Sequence, residues 1–247
     1  MTRRGLTLIE AVLCTFIVGT LIVLVAGSLA DSRRRARQIV TLARMRECGV
    51  ILHAYANDWR DAWPAFARPY GGPTVVPTSR GDVEIPRYFF SCFFWDEALA
   101  DGYLDGNPRS AVVFDAEQQA ENGGVGGTAF LLSCSLLADP AYWRADTRTG
   151  ASQWRGTRRY EVWRTDKKCL LVSPFVFDRV ANIDVNGPLG GFHVPFAFAD
   201  GSASRVRAEQ VRRGVFNGEG TEPGTLHPHD FFAGLHTVDG VRGIDVR

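Results

Sequence analysis

The chain has no charged residue from Ala11 to Ala30 and no proline between Met1 and Pro64. The first absence leaves an apolar run of 25 residues, Leu6 to Ala30. As a helix it would rise roughly 37 Å, enough to cross a hydrocarbon core of about 30 Å with some tilt. That length also excludes an ordinary secretory signal, whose apolar region covers about 7–15 residues before a small-residue cleavage site. The second absence leaves nothing to interrupt one helix running on to about Trp59. A basic excess is missing too: 28 basic residues stand against 27 acidic ones. Nucleic acid is therefore not an expected partner, since such domains carry a strong basic surplus or stripe. No cysteine pair has C-x2-C metal spacing, no G-x-S-x-G occurs, and no Cys has a sequence context suggesting a lowered pKa. Gly123 to Gly127 is followed by no Lys-Ser/Thr, so it is a loop and no phosphate cradle. The sequence offers no enzyme signature.

What is present begins at Glu10, the one charge inside the apolar run. A carboxylate in lipid costs at least ~2.5 kcal/mol and calls for a cation close by. Cleavage between Gly5 and Leu6 would supply one, because the new α-amino group at Leu6 lies about one helical turn from Glu10. It could serve the same chain or a neighbour.

The segment Arg4-Gly5-Leu6-Thr7-Leu8-Ile9-Glu10 resembles the amino terminus of the type IV prepilin and type II secretion pseudopilin family: a short basic leader, Gly, an apolar residue, Thr-Leu-Ile-Glu, then an apolar helix. The resemblance implies cleavage after Gly5 by a prepilin peptidase, N-methylation of Leu6, and assembly with other pilin or pseudopilin subunits on an inner-membrane platform. It also implies that Thr7 and Glu10 belong to the assembly end, with the amino terminus cytoplasmic and the C-terminal domain periplasmic. Leu6 stands where Phe is commoner, and the leader is very short. The flanking charges point the other way, because Arg33, Arg34, Arg35 and Arg37 follow the run and Arg3 and Arg4 precede it. The specific motif is weighted above that count. The arginines after the run could touch anionic membrane lipid headgroups, though the favoured reading is that they simply end the span.

After Ala30 the chain is long enough for one sizeable domain or two small ones. Leu42, Met45, Gly49, Leu52, Ala56 and Trp59 recur every three or four residues and predict an apolar face on the outer half of the helix. The density of Pro, Gly, Thr and Ser from Pro64 to Pro86 predicts an irregular connection. The aromatics from Tyr88 to Trp95 are expected in the core, since each buries about 150–250 Å². A short helix is expected from Glu97 to Leu104, stopped by Gly106-Asn107-Pro108. Strands are expected at Ala111–Phe114, Arg159–Arg164 and Cys169–Phe177.

Two strand-like runs, His193–Ala199 and Ser202–Arg207, flank Asp200-Gly201 and predict a hairpin with a type I′ turn. Phe198-Ala199-Asp200-Gly201-Ser202 is similar to the C-terminal motif of a group of pilin-like proteins abundant in planctomycete-type bacteria. Trp95–Leu104 and Lys167–Ser173 match that group loosely. In that group a His precedes Asp-Gly at a longer interval than the six residues between His193 and Asp200 here. The tail from about Asn217 is expected to be mostly irregular.

For metals, Asn182, Asp184 and Asn186 with Gly187 alternate as in an EF-hand loop, but His193 stands where the twelfth-position Glu belongs. A calcium site there is weighed against a solvated turn, which is favoured. His227, His229, His236 and Asp230 could hold zinc, though Pro228 spoils their preorganisation. Four cysteines lie outside the apolar run, Cys48, Cys92, Cys134 and Cys169, and in an exported domain they could pair as disulfides in ways that sequence does not choose between.

The expected architecture is α+β: leader 1–5, transmembrane helix 6–30, the outer half of the same helix 31–62, and a globular domain 63–247 whose mainly antiparallel sheet packs on that helix. The function expected is that of a filament subunit. The alternative is a membrane-tethered extracytoplasmic binding module that does not polymerise.

Overall fold

The computed structural model describes residues 8–69, 72–113, 128, 130–173, 193–212, 214, 215 and 234–247. It is an α+β chain: a long apolar N-terminal helix, antiparallel sheets and a further helix. The helix α1 spans Leu8–Asp58. The chain divides into two compact units, Met1–Thr41 and Leu42–Arg247.

In the first unit α1 presents apolar side chains outward, with Leu8 83 %, Phe16 72 % and Val23 72 % exposed. The Thr15 hydroxyl donates to the carbonyls of Ala11 and Val12 at 3.1 and 2.9 Å, and that of Thr20 to Phe16 at 2.8 Å. Hydroxyls absorbed by the helix backbone need no water, which suits them to an apolar surrounding.

In the second unit Met45, Cys48, Leu52 and Ala56 are fully buried on one face of α1. The expected stripe is therefore present, with one correction. Trp59 is exposed because the helix stops at Asp58, and Arg60 and Asp61, both at positive φ, turn the chain away. Its ring lies against Tyr55 at 5.6 Å instead.

Two strands, β1 (Thr74–Thr78) and β2 (Gly81–Ile85), form an antiparallel hairpin where an irregular connection is expected. The Thr78 hydroxyl donates to the Gly81 carbonyl at 2.7 Å and the Ser79 amide to Asp101 at 2.7 Å, so side chains fix a turn that composition does not reveal. Most of the aromatic segment is core, as expected: Tyr88, Phe89 and Trp95 are buried and Phe93 and Phe94 half-buried, but Phe90 is exposed on the outer side of its 3-10 turn. Tyr88 stacks on Trp154 at 5.0 Å, and the Trp95 indole donates to the Phe130 carbonyl at 2.7 Å. The helix α2 spans Trp95–Tyr103 and ends at Asp105 and Gly106, which both have positive φ.

Two expected strands are turns. Residues 111–113 continue turns opened at Asn107, with Ser110 N donating to the Asn107 carbonyl at 3.0 Å and Val113 N to Ser110 at 3.2 Å. Arg159–Glu161 is a 3-10 turn, because the Glu161 carboxylate reaches back to accept the Arg158 amide at 2.9 Å and outcompetes a strand ladder.

The main sheet has the order β3-β4-β5-β6, all antiparallel, with β3 at Leu131–Leu132, β4 at Cys169–Val172, β5 at His193–Phe198 and β6 at Ala203–Arg207. Strand β4 is buried along its whole length, as its unbroken apolar run requires. Alternate residues of β5 face opposite ways. Ala197 joins the core that contains Met45, Leu52 and Trp95, while Phe196 and Phe198 join Leu131, Val172 and Leu235 on the other face. The β5–β6 hairpin is present, but its turn is the three-residue kind. Within the turn Gly201 alone has positive φ, at 84°, and its N–H donates to the Phe198 carbonyl at 2.9 Å, while Phe198 N donates to the Ser202 carbonyl at 2.8 Å.

The described part of the tail is more ordered than expected. Leu235, His236, Thr237, Val241 and Asp245 are buried, and a 3-10 turn covers Gly240–Arg242.

Candidate functional site

Of the residues expected at the processing and assembly end, Gly5, Leu6 and Thr7 lie outside the described residues. Glu10 sits exposed in the first turn of α1. Leu8–Leu29 is one helix long and apolar enough, by length and composition, to cross a membrane. Leu21, Ile22, Val23 and Leu24, four consecutive residues that go once round the helix, are all exposed. An apolar surface of this extent exceeds what a soluble monomer leaves uncovered, so it is suited to insert into lipid or to pack on other apolar helices.

The Asp-Gly turn is built onto the outer part of α1. The Arg46 guanidinium donates to the Ala203 carbonyl at 3.3 Å, and the His53 ring donates to the carbonyl of Ala199. His53 also meets the Trp63 ring edge-on at 5.4 Å. Burial, then the Arg159 charge, holds His53 below the ordinary histidine range. From the other side Asp200 N donates to the Thr165 carbonyl at 3.1 Å and Ala199 N to Lys168 at 2.9 Å. His193 is exposed at the start of β5, opposite Arg207. The histidine that touches the Asp-Gly turn is thus His53, distant in sequence and given no role by the motif.

Deeper in this unit is a polar cluster that the sequence reading missed. Lys168 is fully buried and its ammonium meets the Asp245 carboxylate at 2.9 Å. Asp245 also accepts the Cys169 amide at 2.8 Å, and Thr237 bonds to both Lys168 and Asp245. The Ser133 and Ser135 hydroxyls lie 2.6 Å apart, and Ser133 donates to the Gly234 carbonyl at 2.7 Å. Such a network ties the C-terminal segment to β4. Its only sequence signal is a lysine that abuts an apolar strand.

None of the five cysteines is in a disulfide. Cys14 is exposed in the apolar helix, and the other four are buried. The Cys48 thiol donates to the Val112 carbonyl at 3.6 Å and that of Cys169 to Leu171 at 3.3 Å. Burial pushes both thiols up, that of Cys48 aided by the Asp96 and Glu47 charges and that of Cys169 by Asp245. Cys92 and Cys134 are brought together with His236, which stacks on Trp143 at 5.5 Å. Asp96, in the first turn of α2, is also buried; desolvation raises its carboxyl to about 7.

Among the described residues no group of three His, Cys, Asp or Glu is arranged to hold a metal ion. The expected calcium residues Asn182, Asp184 and Asn186 lie outside the described residues, as do His227, His229 and Asp230. No protein-family model, no curated protein and no solved structure matches this chain.

Proposed function

We propose that the chain is a structural subunit of a type IV pilus-like or type II secretion filament, cleaved after Gly5 and methylated at Leu6. The observation that carries the reading is the helix segment Leu8–Leu29, apolar and exposed around its circumference, with a single carboxylate, Glu10, in its first turn. A surface of that kind is stable in lipid or inside a bundle of like helices, and a bundle offers the carboxylate a defined partner. The prepilin-type residues Gly5, Leu6, Thr7 and Glu10 supply the rest: removal of the leader creates an α-amine one turn from the acid. Pairing between that amine and Glu10 of an adjacent subunit would fix register, since a misaligned subunit leaves a charge uncompensated in an apolar surrounding. The C-terminal domain then lies on the periplasmic face of the inner membrane, and the subunit's partners are the peptidase, other subunits, the assembly platform and lipid.

The test is direct. Mass spectrometry of the mature protein from cells that hold the peptidase is expected to show Leu6 as a methylated first residue, and an intact leader would sink the proposal. Glu10→Ala is expected to leave membrane insertion intact and to reduce incorporation into sheared filaments at least ~10-fold.

A second reading, a tethered binding module, draws on exposed aromatics in the domain. Tyr160 is 71 % and Trp163 70 % exposed, and large flat rings left in water are a common carbohydrate or protein contact. Cross-linking separates the two: ladders of subunits favour the filament, a monomer in the membrane fraction the module.

A further inference from the structure

Two 3-10 turns, Tyr88–Cys92 and Cys134–Leu136, lie in contact, and each carries a cysteine. Both sulfurs belong to residues only 2 % exposed. The Cys92 thiol hydrogen-bonds to the Cys134 sulfur, and the His236 ring hydrogen-bonds to the same sulfur. His236 is held there by its stack on Trp143, with the rings 21° from parallel, and by the neighbouring Thr237, which is locked to Asp245. The Cys134 thiol also donates to the Phe89 carbonyl at 3.7 Å, while Cys48 and Cys169 likewise face backbone carbonyls but meet no second thiol in the contacts described above.

We propose that Cys92 and Cys134 are a dithiol that closes into a disulfide, with Cys134 as the attacking sulfur and His236 as the group positioned to take its proton. Burial acts to raise the Cys134 thiol, but the hydrogen bonds from Cys92 and His236 and the charge on His236 outweigh it and bring it down to about 6. A thiol of that kind is the reactive member of a pair, whereas Cys48 and Cys169, pushed up by burial, are inert. The Cys134 thiolate attacks one sulfur of a disulfide oxidant, either glutathione disulfide or a protein disulfide carrier. The oxidant's S–S bond breaks and its second sulfur leaves as a thiolate. The Cys92 thiolate then attacks the Cys134 sulfur of the mixed disulfide, the Cys92–Cys134 bond forms, and the oxidant's first sulfur departs. Two electrons and the two thiol protons pass to the oxidant. Because both sulfurs are buried, the oxidant enters through a local opening of the surrounding turns. The bond would join residues 42 positions apart, closing a loop that contains α2 and β3, and stabilise the domain by removing freedom from the unfolded chain.

The chemistry of the pair is independent of the filament reading; only the oxidant met in the cell rests on the periplasmic placement. The experiment uses the full chain in detergent micelles, reduced and then equilibrated in glutathione buffers of graded potential. Samples are quenched in acid, alkylated, digested and weighed. One cross-linked peptide pair, Cys92 with Cys134, is expected, with Cys48 and Cys169 alkylated after denaturation. Separate alkylation of Cys92 and Cys134 across the whole range, or their linkage to other cysteines, would overturn the proposal. The rate of closure is expected to level off at a pH near neutrality, and a rate that climbs through pH ~9, as an ordinary thiol requires, would remove His236 from the account. His236→Gln, which keeps a hydrogen bond but not a base, is expected to slow closure about 10-fold at pH 7 and to restore that climb; an unaltered profile would refute the role given to His236. Alkylation of intact cells adds the last arm. The bond found in cells supports both readings, and a bond that forms in micelles but stays open in cells upholds the pair while telling against the periplasmic placement.

Discussion

Asp96 shows how much one buried acid can weigh. It is 4 % exposed, and its Oδ1 accepts no hydrogen bond from the described residues. Desolvation, the largest influence, lifts the carboxyl from 3.8 to about 7, so the folded domain holds the proton more tightly than the unfolded chain does. The stabilisation is therefore complete below about pH 4 and is lost as pH rises through about 7; the gap corresponds to as much as ~4 kcal/mol. Asp96→Asn, of the same shape and neutral throughout, is expected to flatten the fall in melting temperature between pH 5 and 8 and to melt several degrees above the parent at pH 8. Calorimetry of the micelle-bound chain at the two pH values checks it, and a parental slope in the variant would remove Asp96 as its source. Lys168 is the opposite case, a charge whose burial is met by a partner. Lys168→Met leaves the Asp245 carboxylate buried without its cation, and the expected loss is roughly 3–5 kcal/mol in urea unfolding followed by tryptophan emission.

Elements differ in how plainly the chain announces them, and the hairpin β5–β6 is the plainest. Asp200-Gly201 between apolar runs marks the reversal, yet the turn has three residues because Gly201 alone takes positive φ. An added Cβ at Gly201 meets nothing within 4 Å, so Gly201→Ala carries only the backbone penalty, ~1–2 kcal/mol. Gly234, at φ +83°, would place a Cβ 2.6 Å from the Phe196 ring, so Gly234→Ala adds a clash behind β5 and is expected to lower the unfolding midpoint clearly further. Equal effects would argue against the close packing of residue 234 on the sheet. The long helix and its buried stripe were legible because apolar spacing and missing prolines act over many residues and sum. The β1–β2 hairpin was not, since Pro77 and the Ser79-Arg80 turn rely on partners such as Asp101, 22 positions away. Nor was the 3-10 turn at Arg159–Glu161, where one carboxylate decides the backbone. At the site level the motif marked Glu10 and the Asp-Gly turn. The Lys168–Asp245 pair, the Cys92–Cys134–His236 group and His53 join residues far apart in sequence, and no local spacing marks such groups.

For the molecule as a whole, if the apolar helix crosses a membrane, the open choice is which side holds the domain. Arg33, Arg35 and Arg37 are exposed just beyond the apolar segment, and a count of flanking positive charge would retain them in the cytoplasm. The proposed filament role requires the reverse, because under it a scissile bond after Gly5 would face a cytoplasmic peptidase site while the domain leaves. The two influences are separable, since charge acts through the number of arginines and the motif through residues 5 to 10. A phosphatase that works only outside the cytoplasm, fused after Arg247, is expected to be active in the parent chain. Replacing Arg33, Arg34, Arg35 and Arg37 with Gln is expected to leave that activity within about twofold, since under the filament proposal the motif overrides the charge bias that would otherwise set orientation. If the parent fusion is silent and the Gln variant active, charge governs topology, the domain is cytoplasmic, and a filament subunit is ruled out.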